Sequence, residues 1–141
     1  MSHNESLLKL FLRVLGTSAL TAAFFECVPD AWMDAIHRQL GLGKLPDAPI
    51  VSYLARSTSA FYAMLGGLLW VVSFDLRRHR VVLRYLGLAI LAIGLALFVV
   101  DWQAGLPLWW RFWEGPIDFG FGVVILYLNS RISEENSNQT R

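Results

Sequence analysis

Between positions 81 and 101 the chain reads VVLRYLGLAILAIGLALFVVD, with Arg84 near its start, Asp101 at its end and no charge between them. That length matches the roughly 20 apolar residues that carry an α-helix across a ~30 Å hydrocarbon core. In lipid the backbone must satisfy its own hydrogen bonds, and within a single segment only a helix does so. Gly87, Gly94 and Asp101 recur every seven residues along it, forming a small-residue seam that ends in a carboxylate. Small side chains let helix backbones approach closely in lipid, where packing replaces the hydrophobic effect, so this seam is expected to face another helix.

Outward from this segment, three more apolar stretches of similar length appear, at 7–27, 50–74 and 106–128. The turn Asp75-Leu76-Arg77-Arg78-His79-Arg80 is short and charged, and Trp102 to Gly105 is equally short, so the second and third spans and the third and fourth spans are expected to form antiparallel hairpins. Only 28–49 is long enough to hold extra structure. There, Pro29-Asp30 opens an N-terminal capping pattern, Trp32, Met33, Ile36 and Leu40 share one face, and Gly41 and Gly43 stop the run. Asp34 and Arg38 stand four apart on the other face, where they support a helix modestly. The spacing predicts a short amphipathic helix over about 30–40, either lying in the membrane interface or packed on the outer ends of the bundle. The expected architecture is all-α: a single transmembrane domain over 1–141, an integral membrane four-helix bundle with a short interfacial amphipathic helix between helices 1 and 2 and a polar, frayed tail over 130–141.

Composition agrees with this. Of 141 residues, 55% are hydrophobic and 16% charged, with 12 Lys+Arg against 11 Asp+Glu and a formal net charge of +1. Soluble domains carry about 25% charged residues. A disordered tail, a coiled coil and a nucleic-acid binder with a strong basic field are therefore excluded. The lone Cys27 permits no disulfide framework, and no second cysteine or histidine stands near it in sequence for nucleophilic chemistry. Three scattered histidines leave little for a metal or a haem, so neither metal nor cofactor is expected. His37, beside Asp34 on the amphipathic helix, reads as a solvated residue. Gly41-Leu42-Gly43-Lys44 lacks the spacing and the following Ser/Thr of a phosphate-binding loop. Lys9 and Arg13 before an apolar run resemble a signal peptide, but Phe24-Phe25-Glu26 occupies the place of a small-residue cleavage site.

Basic residues set the expected orientation. Lys9, Arg13, Arg77, Arg78, Arg80, Arg84, Arg131 and Arg141 fall on the side holding both termini, whereas the opposite loops hold only Arg38 and Lys44. The positive-inside rule then makes both termini cytoplasmic. Trp32, Trp102, Trp109, Trp110 and Trp113 gather at the outer side, where amphipathic indoles prefer the headgroup level.

The informative residues are charges inside the spans. A rise of 1.5 Å per residue puts Glu26 and Asp118 at about 20 Å above the inner surface, Asp101 and Glu114 at about 26 Å, Arg56 at about 28 Å and Arg111 at about 30 Å. Every span thus delivers an ionisable group to one layer in the outer third of the membrane. Arg111, Glu114 and Asp118 share one stripe, as do Ser52, Arg56 and Ser59. Arg56 is the expected hub, with Glu114 and Asp101 as partners, because a guanidinium fork can hold two carboxylates. Two readings stand together: a salt-bridged structural layer, or a ligand or proton site, the default for intramembrane ionisable groups. Pro116 should kink its helix and free a carbonyl near the layer. Gly66-Gly67, Gly120 and Gly122 mark either close packing or a cavity. Glu26/Pro29/Trp32 and Asp101/Pro107/Trp109, each followed by a helix carrying Arg56 or Arg111, hint at a duplicated two-helix unit.

Arg56-Ser57-Thr58-Ser59-Ala60-Phe61-Tyr62, Asp101 with Gly105-Leu106-Pro107, and Glu114-Gly115-Pro116 together resemble small bacterial four-helix membrane proteins of the DoxX-like kind. The resemblance implies a multi-pass protein of the bacterial inner membrane and allows a link to quinone-dependent oxidation. The leading expectation is a non-enzymatic binding or accessory protein. Its layer of Arg56, Asp101, Glu114, Asp118, Glu26, Arg111, Ser59 and Tyr62 would hold a small amphiphile, a quinone or a lipid, or a membrane partner or second copy. The rivals are an intramembrane enzyme using Glu114 or Asp118 as acid/base, and a subunit whose salt bridges are purely structural.

Overall fold

The computed structural model describes residues 2–139, with side chains as far as Ile132, and every element among them is helical. The elements are α1 (His3–Leu20), α2 (Ala22–Glu26), α3 (Asp30–Gln39), α4 (Pro49–Phe74), α5 (Arg80–Gln103) and α6 (Leu108–Gln139). Three stretches are long and apolar enough to cross a membrane: His3–Glu26, Pro49–Phe74 and Arg80–Gln103. The fourth expected span forms a helix from Leu108 onward but is not among them. Arg111, Glu114, Pro116 and Asp118 crowd its first half and polar residues follow Asn129, so its apolar run is too diluted.

α6 runs to Gln139, into the stretch expected to be a polar tail. Ile125, Leu128 and Ile132 form one buried stripe, and Ile132 is only 1% exposed, which anchors a turn that composition alone would leave loose. Arg141, counted among the inner bases, lies outside the described residues together with Thr140. Thr21 interrupts the first span: its N–H reaches the carbonyls of both Thr17 (3.2 Å) and Ser18 (3.3 Å), and its hydroxyl also donates to Ser18 (2.6 Å). Tightening of this kind turns α1 into the short α2 without ending the span.

The chain divides into two compact units, Leu12–Val71 and the described residues on either side of it; α1 and α4 each pass from one into the other. Within Leu12–Val71, α1 and α4 meet at glycines. A Cβ on Gly66 would stand 2.6 Å from the Gly16 carbonyl oxygen, and one on Gly16 would stand 2.9 Å from that of Gly66. The Trp70 indole donates to Thr17 Oγ1 at 3.1 Å one turn away, and the Arg13 guanidinium lies over its ring.

In the other unit α5 and α6 form the expected hairpin. Gly94 abuts Gly115, Gly87 abuts Gly122, and Asn129 Nδ2 donates to the Arg80 carbonyl at 3.2 Å. The contact therefore repeats every seven residues on both strands of the hairpin, the period of left-handed antiparallel helix packing. Gly105 closes it. Its φ of 68° and the bonds Leu106 N–H to Asp101 O and Gly105 N–H to Trp102 O, both 3.3 Å, make a Schellman motif. Ser2 and Glu5 build a reciprocal capping box at the start of α1, Ser2 N–H donating to Glu5 Oε2 (3.1 Å) and Glu5 N–H to Ser2 Oγ (3.3 Å).

The predicted amphipathic helix is α3, and none of its residues is buried. Trp32 and Ile36 on it, and Leu40 at its C-cap, are exposed among the described residues. Gly41, with φ 75°, ends it in a second Schellman motif through Gly41 N–H to Arg38 O and Leu42 N–H to His37 O. Pro29 takes the N-cap without any side-chain bond, so the expected capping by this dipeptide does not form; Asp30 is engaged elsewhere.

Candidate functional site

Arg56 sits in the first half of α4 and is a hub, but not to the carboxylates expected. Its Nη2 pairs with Asp30 Oδ1 at 2.8 Å and donates to the Val28 carbonyl at 2.9 Å, Nη1 donates to the Glu26 carbonyl, and Nε donates to Ser52 Oγ at 3.2 Å. Ser52 Oγ in turn donates to the same Asp30 oxygen at 2.9 Å. The reason lies in the α2–α3 link. Past the end of α2 the carbonyls of Glu26 and Val28 have no helical partner, and orphan carbonyls of this kind need a donor. A planar guanidinium supplies several at once. Glu26 thus enters through its backbone. Asp30, at the start of α3, takes the role assigned to Glu114 and Asp101.

Beside this clasp lies a cavity of about 670 Å³. Asp30, Asp34, Lys44, Asp47, Tyr53 and Arg56 are on its wall, together with the apolar Leu45, Pro46 and Ala48. Asp34 holds the loop that closes it, accepting the Leu45 N–H at 2.8 Å and pairing with Arg38 at 2.8 Å as the helical spacing predicted. His37 Nδ1 approaches the Gly43 carbonyl at 3.0 Å, tying the same loop. The Ser52 hydroxyl and then Arg56 hold the Asp30 carboxyl below the ordinary aspartate value; the Leu45 N–H and then Arg38 do so for Asp34. Both are anions at neutral pH. Lys44 and Asp47, by contrast, make no ion pair or side-chain hydrogen bond among the described residues.

Two other expected members of the site lie on α4. The Ser59 hydroxyl turns back to the Ala55 carbonyl at 3.0 Å, and Tyr62 is exposed.

The remaining four are on the α5–α6 hairpin. Asp101 ends the glycine seam as predicted; it is 3% exposed, and its Oδ2 has no hydrogen-bond partner among the described residues. The Glu114 carboxylate accepts from the Trp110 indole one turn earlier on α6 and lies within electrostatic reach of Asp101 and Asp118. Asp118 is half-buried and makes no hydrogen bond or ion pair among the described residues. Arg111 serves none of them: its Nε donates to the Leu106 carbonyl and its guanidinium stacks 4.9 Å from the Trp102 ring centroid. Arg111 thus reaches back to a carbonyl in the link that precedes its own helix, whereas Arg56 reaches past α3 to the end of α2 and the α2–α3 link.

The glycine alternatives resolve by position. Gly66 and Gly122 are packing contacts, whereas an added Cβ at Gly67 or Gly120 meets nothing within 4 Å. The sequence reading passed over Asp30 as a partner and missed the pair of Glu5 with Arg77 (2.6 Å). Ser2-x-x-Glu5 was the available signal for part of the second. Among the described residues, no group of three His, Cys, Asp or Glu side chains is arranged to hold a metal ion. Comparison with known proteins finds no matching family model, no similar characterised protein and no similar solved structure.

Proposed function

We propose that this chain is a multi-pass protein of the bacterial inner membrane, a binding or accessory protein that holds a small amphiphile, a quinone or a lipid, in the cavity beside Arg56. The cavity carries the reading: at about 670 Å³ it falls within the ~300–1,000 Å³ of small-molecule sites, and its wall mixes a few charged groups with apolar ones. In this reading α6 is the fourth span, its roughly 2.5–3.5 kcal/mol per buried charge offset by packing on α5. Both termini face the cytoplasm, α3 lies in the outer interface on its exposed Trp32, Ile36 and Leu40, and the DoxX-like layout makes a quinone the first ligand to try.

The test is binding of a short-tailed quinone and, separately, a brominated phospholipid to the purified chain in detergent, followed by tryptophan quenching. Saturable quenching is expected, weakened about tenfold by Lys44→Ala, the equivalent of ~1.4 kcal/mol, with helicity unchanged. Quenching by neither probe, or quenching indifferent to both Lys44→Ala and Tyr53→Ala, overturns the reading.

A second reading, an intramembrane acid/base centre at Glu114 or Asp118, is favoured by one observation. The hairpin holds three carboxylates, and none of them forms an ion pair among the described residues. Arg56, with its acceptors already in place, is read as structural in both cases.

A further inference from the structure

Around the turn between α4 and α5, bases outnumber the acids whose side chains are described. Lys9, Arg77, Arg78, Arg80, Arg84 and Arg131 all belong to the unit that contains α5 and α6. Lys9 lines the same small cavity as Arg77, and Asn129, bonded to the Arg80 carbonyl, brings the Arg131 end of α6 to the start of α5. Two acids are described among them, and both are committed. Glu5 is buried on Arg77, and Asp75 Oδ1 accepts the Arg78 backbone N–H at 3.0 Å. Arg78 and Arg84 are exposed and have no ion pair among the described residues, and Arg80 Nε is buried without an acceptor.

What borders these cations is apolar. Phe74, Val81 and Tyr85 are 67%, 82% and 70% exposed, and they flank the basic turn on α4 and α5. Arg84 stands one turn beyond Arg80, roughly 6 Å deeper along α5, between Val81 and Tyr85 in sequence. A long basic side chain there can lay its methylenes on apolar surface and return its guanidinium toward the headgroup level. Cations alone would suit any phosphate. Cations above a collar of exposed aromatic and aliphatic side chains, on helices apolar enough to cross a membrane, suit a molecule with an anionic head and acyl tails. Arginine adds bidentate geometry for phosphate oxygens.

We infer that the band of Arg78, Arg80 and Arg84, with Lys9 and Arg131 beside it, binds the anionic phospholipid headgroups of the leaflet it meets. The band lies apart from the cavity residues in sequence and stands independently of the ligand proposed there.

The test uses the full chain in detergent doped with equal amounts of phosphatidylglycerol and phosphatidylcholine, with retained lipid read by native mass spectrometry. Several-fold preferential retention of phosphatidylglycerol is expected. Arg78→Gln with Arg84→Gln should at least halve that preference, while Arg38→Gln, on α3, leaves it unchanged. Equal retention of the two lipids, or a preference undiminished in the double variant, overturns the inference. So does inorganic phosphate binding as well as the lipid and displacing it, which makes this a free-phosphate site. Should the double variant fail to fold, wild-type protein still decides: raising sodium chloride from low to high ionic strength must erase the preference, and a salt-independent preference refutes it.

Discussion

Replacing Gly94 by alanine tests the heptad seam that joins α5 to α6. A Cβ there would stand 2.3 Å from the Phe119 backbone nitrogen and 2.7 Å from the Gly115 carbonyl oxygen, whereas ordinary contact begins at 3.4 Å. The obstruction is backbone on both counts, so no rotamer change relieves it. The two helices must separate by 1.1 Å at the tightest point, the difference between 3.4 and 2.3 Å. Separation also loosens Leu86, Ile90 and Ile125, which are buried along the two helices. Overpacking of this kind costs roughly 1–3 kcal/mol. Gly120→Ala is the matched control on α6, because nothing lies within 4 Å of an added Cβ there. Its effect should stay within about 0.5 kcal/mol. Gly115→Ala added to Gly94→Ala should cost less than the sum, since the first substitution has already opened the gap the second needs. Equilibrium unfolding in mixed micelles of sodium dodecyl sulfate and a mild detergent, followed by circular dichroism, measures all five chains, the Gly115→Ala single variant included. If Gly94→Ala is as stable as wild type, or Gly120→Ala is equally damaging, the close-packed seam is wrong.

Three further outcomes follow from the polar groups. Asp30 has a lowered folded-state pKa, so the stability it contributes is present above the ordinary aspartate value of about 3.9 and is lost as pH falls from there through the folded value. Hydrogen exchange in α3 should rise in that window, and Asp30→Asn should reduce the pH dependence to the part carried by Asp34, whose carboxyl is lowered too. The native Cys27 is exposed and lies at the outer end in the proposed orientation. An impermeant maleimide should therefore label it in intact cells but spare Cys27→Ser carrying His79→Cys; the reverse pattern inverts the topology. Glu114→Gln and Asp118→Asn should accumulate in the membrane with normal helicity and lose activity or ligand if either carboxylate works in a site, whereas failure of both to accumulate assigns them to structure.

Much of this fold was legible because its determinants are periodic. Hydropathy length set the three helices long and apolar enough to cross a membrane to within a few residues, the positions of Gly41 and Gly105 set two helix ends, and the spacing of Gly87, Gly94 and Asp101 named the packing face of α5. Counting rise per residue gave heights for the charges but carries no information about neighbours in the plane. Arg56 therefore looked free to meet Glu114 or Asp101. Its actual carboxylate comes from Asp30, in the link after Pro29, where chain direction depends on turn dihedrals that hydropathy does not encode. The pair of Glu5 with Arg77 joins the first turn of α1 to the loop before α5, a contact between residues 72 apart that no local pattern announces. At the C-terminal end Ile132 lies on the buried stripe of α6, a placement that its polar neighbours in sequence do not announce.

The heavy commitment of Arg56 changes where recognition by this chain should be sought. Four of its donor contacts are already made to protein acceptors: Ser52, Glu26, Val28 and Asp30. One of its five N–H donors, on Nη1, is left over, so an incoming anionic head could take a single bond there, but a bidentate grip would displace one of these acceptors, losing about as much as it gained. The same guanidinium fixes the two free carbonyls beyond α2 and the first residue of α3, so its removal should disorder one wall of the cavity as well as any ligand in it. Lys44 is on that wall with no ion pair among the described residues, only a longer-range attraction to Asp34, so a ligand head meeting it breaks no hydrogen bond. The two cations should consequently separate by assay. Lys44→Ala lowers affinity at unchanged unfolding free energy, while Arg56→Ala lowers both together. Equal loss of stability in the two variants would mean that Lys44 is part of the clasp, and that the cavity offers an anionic head no uncommitted charge.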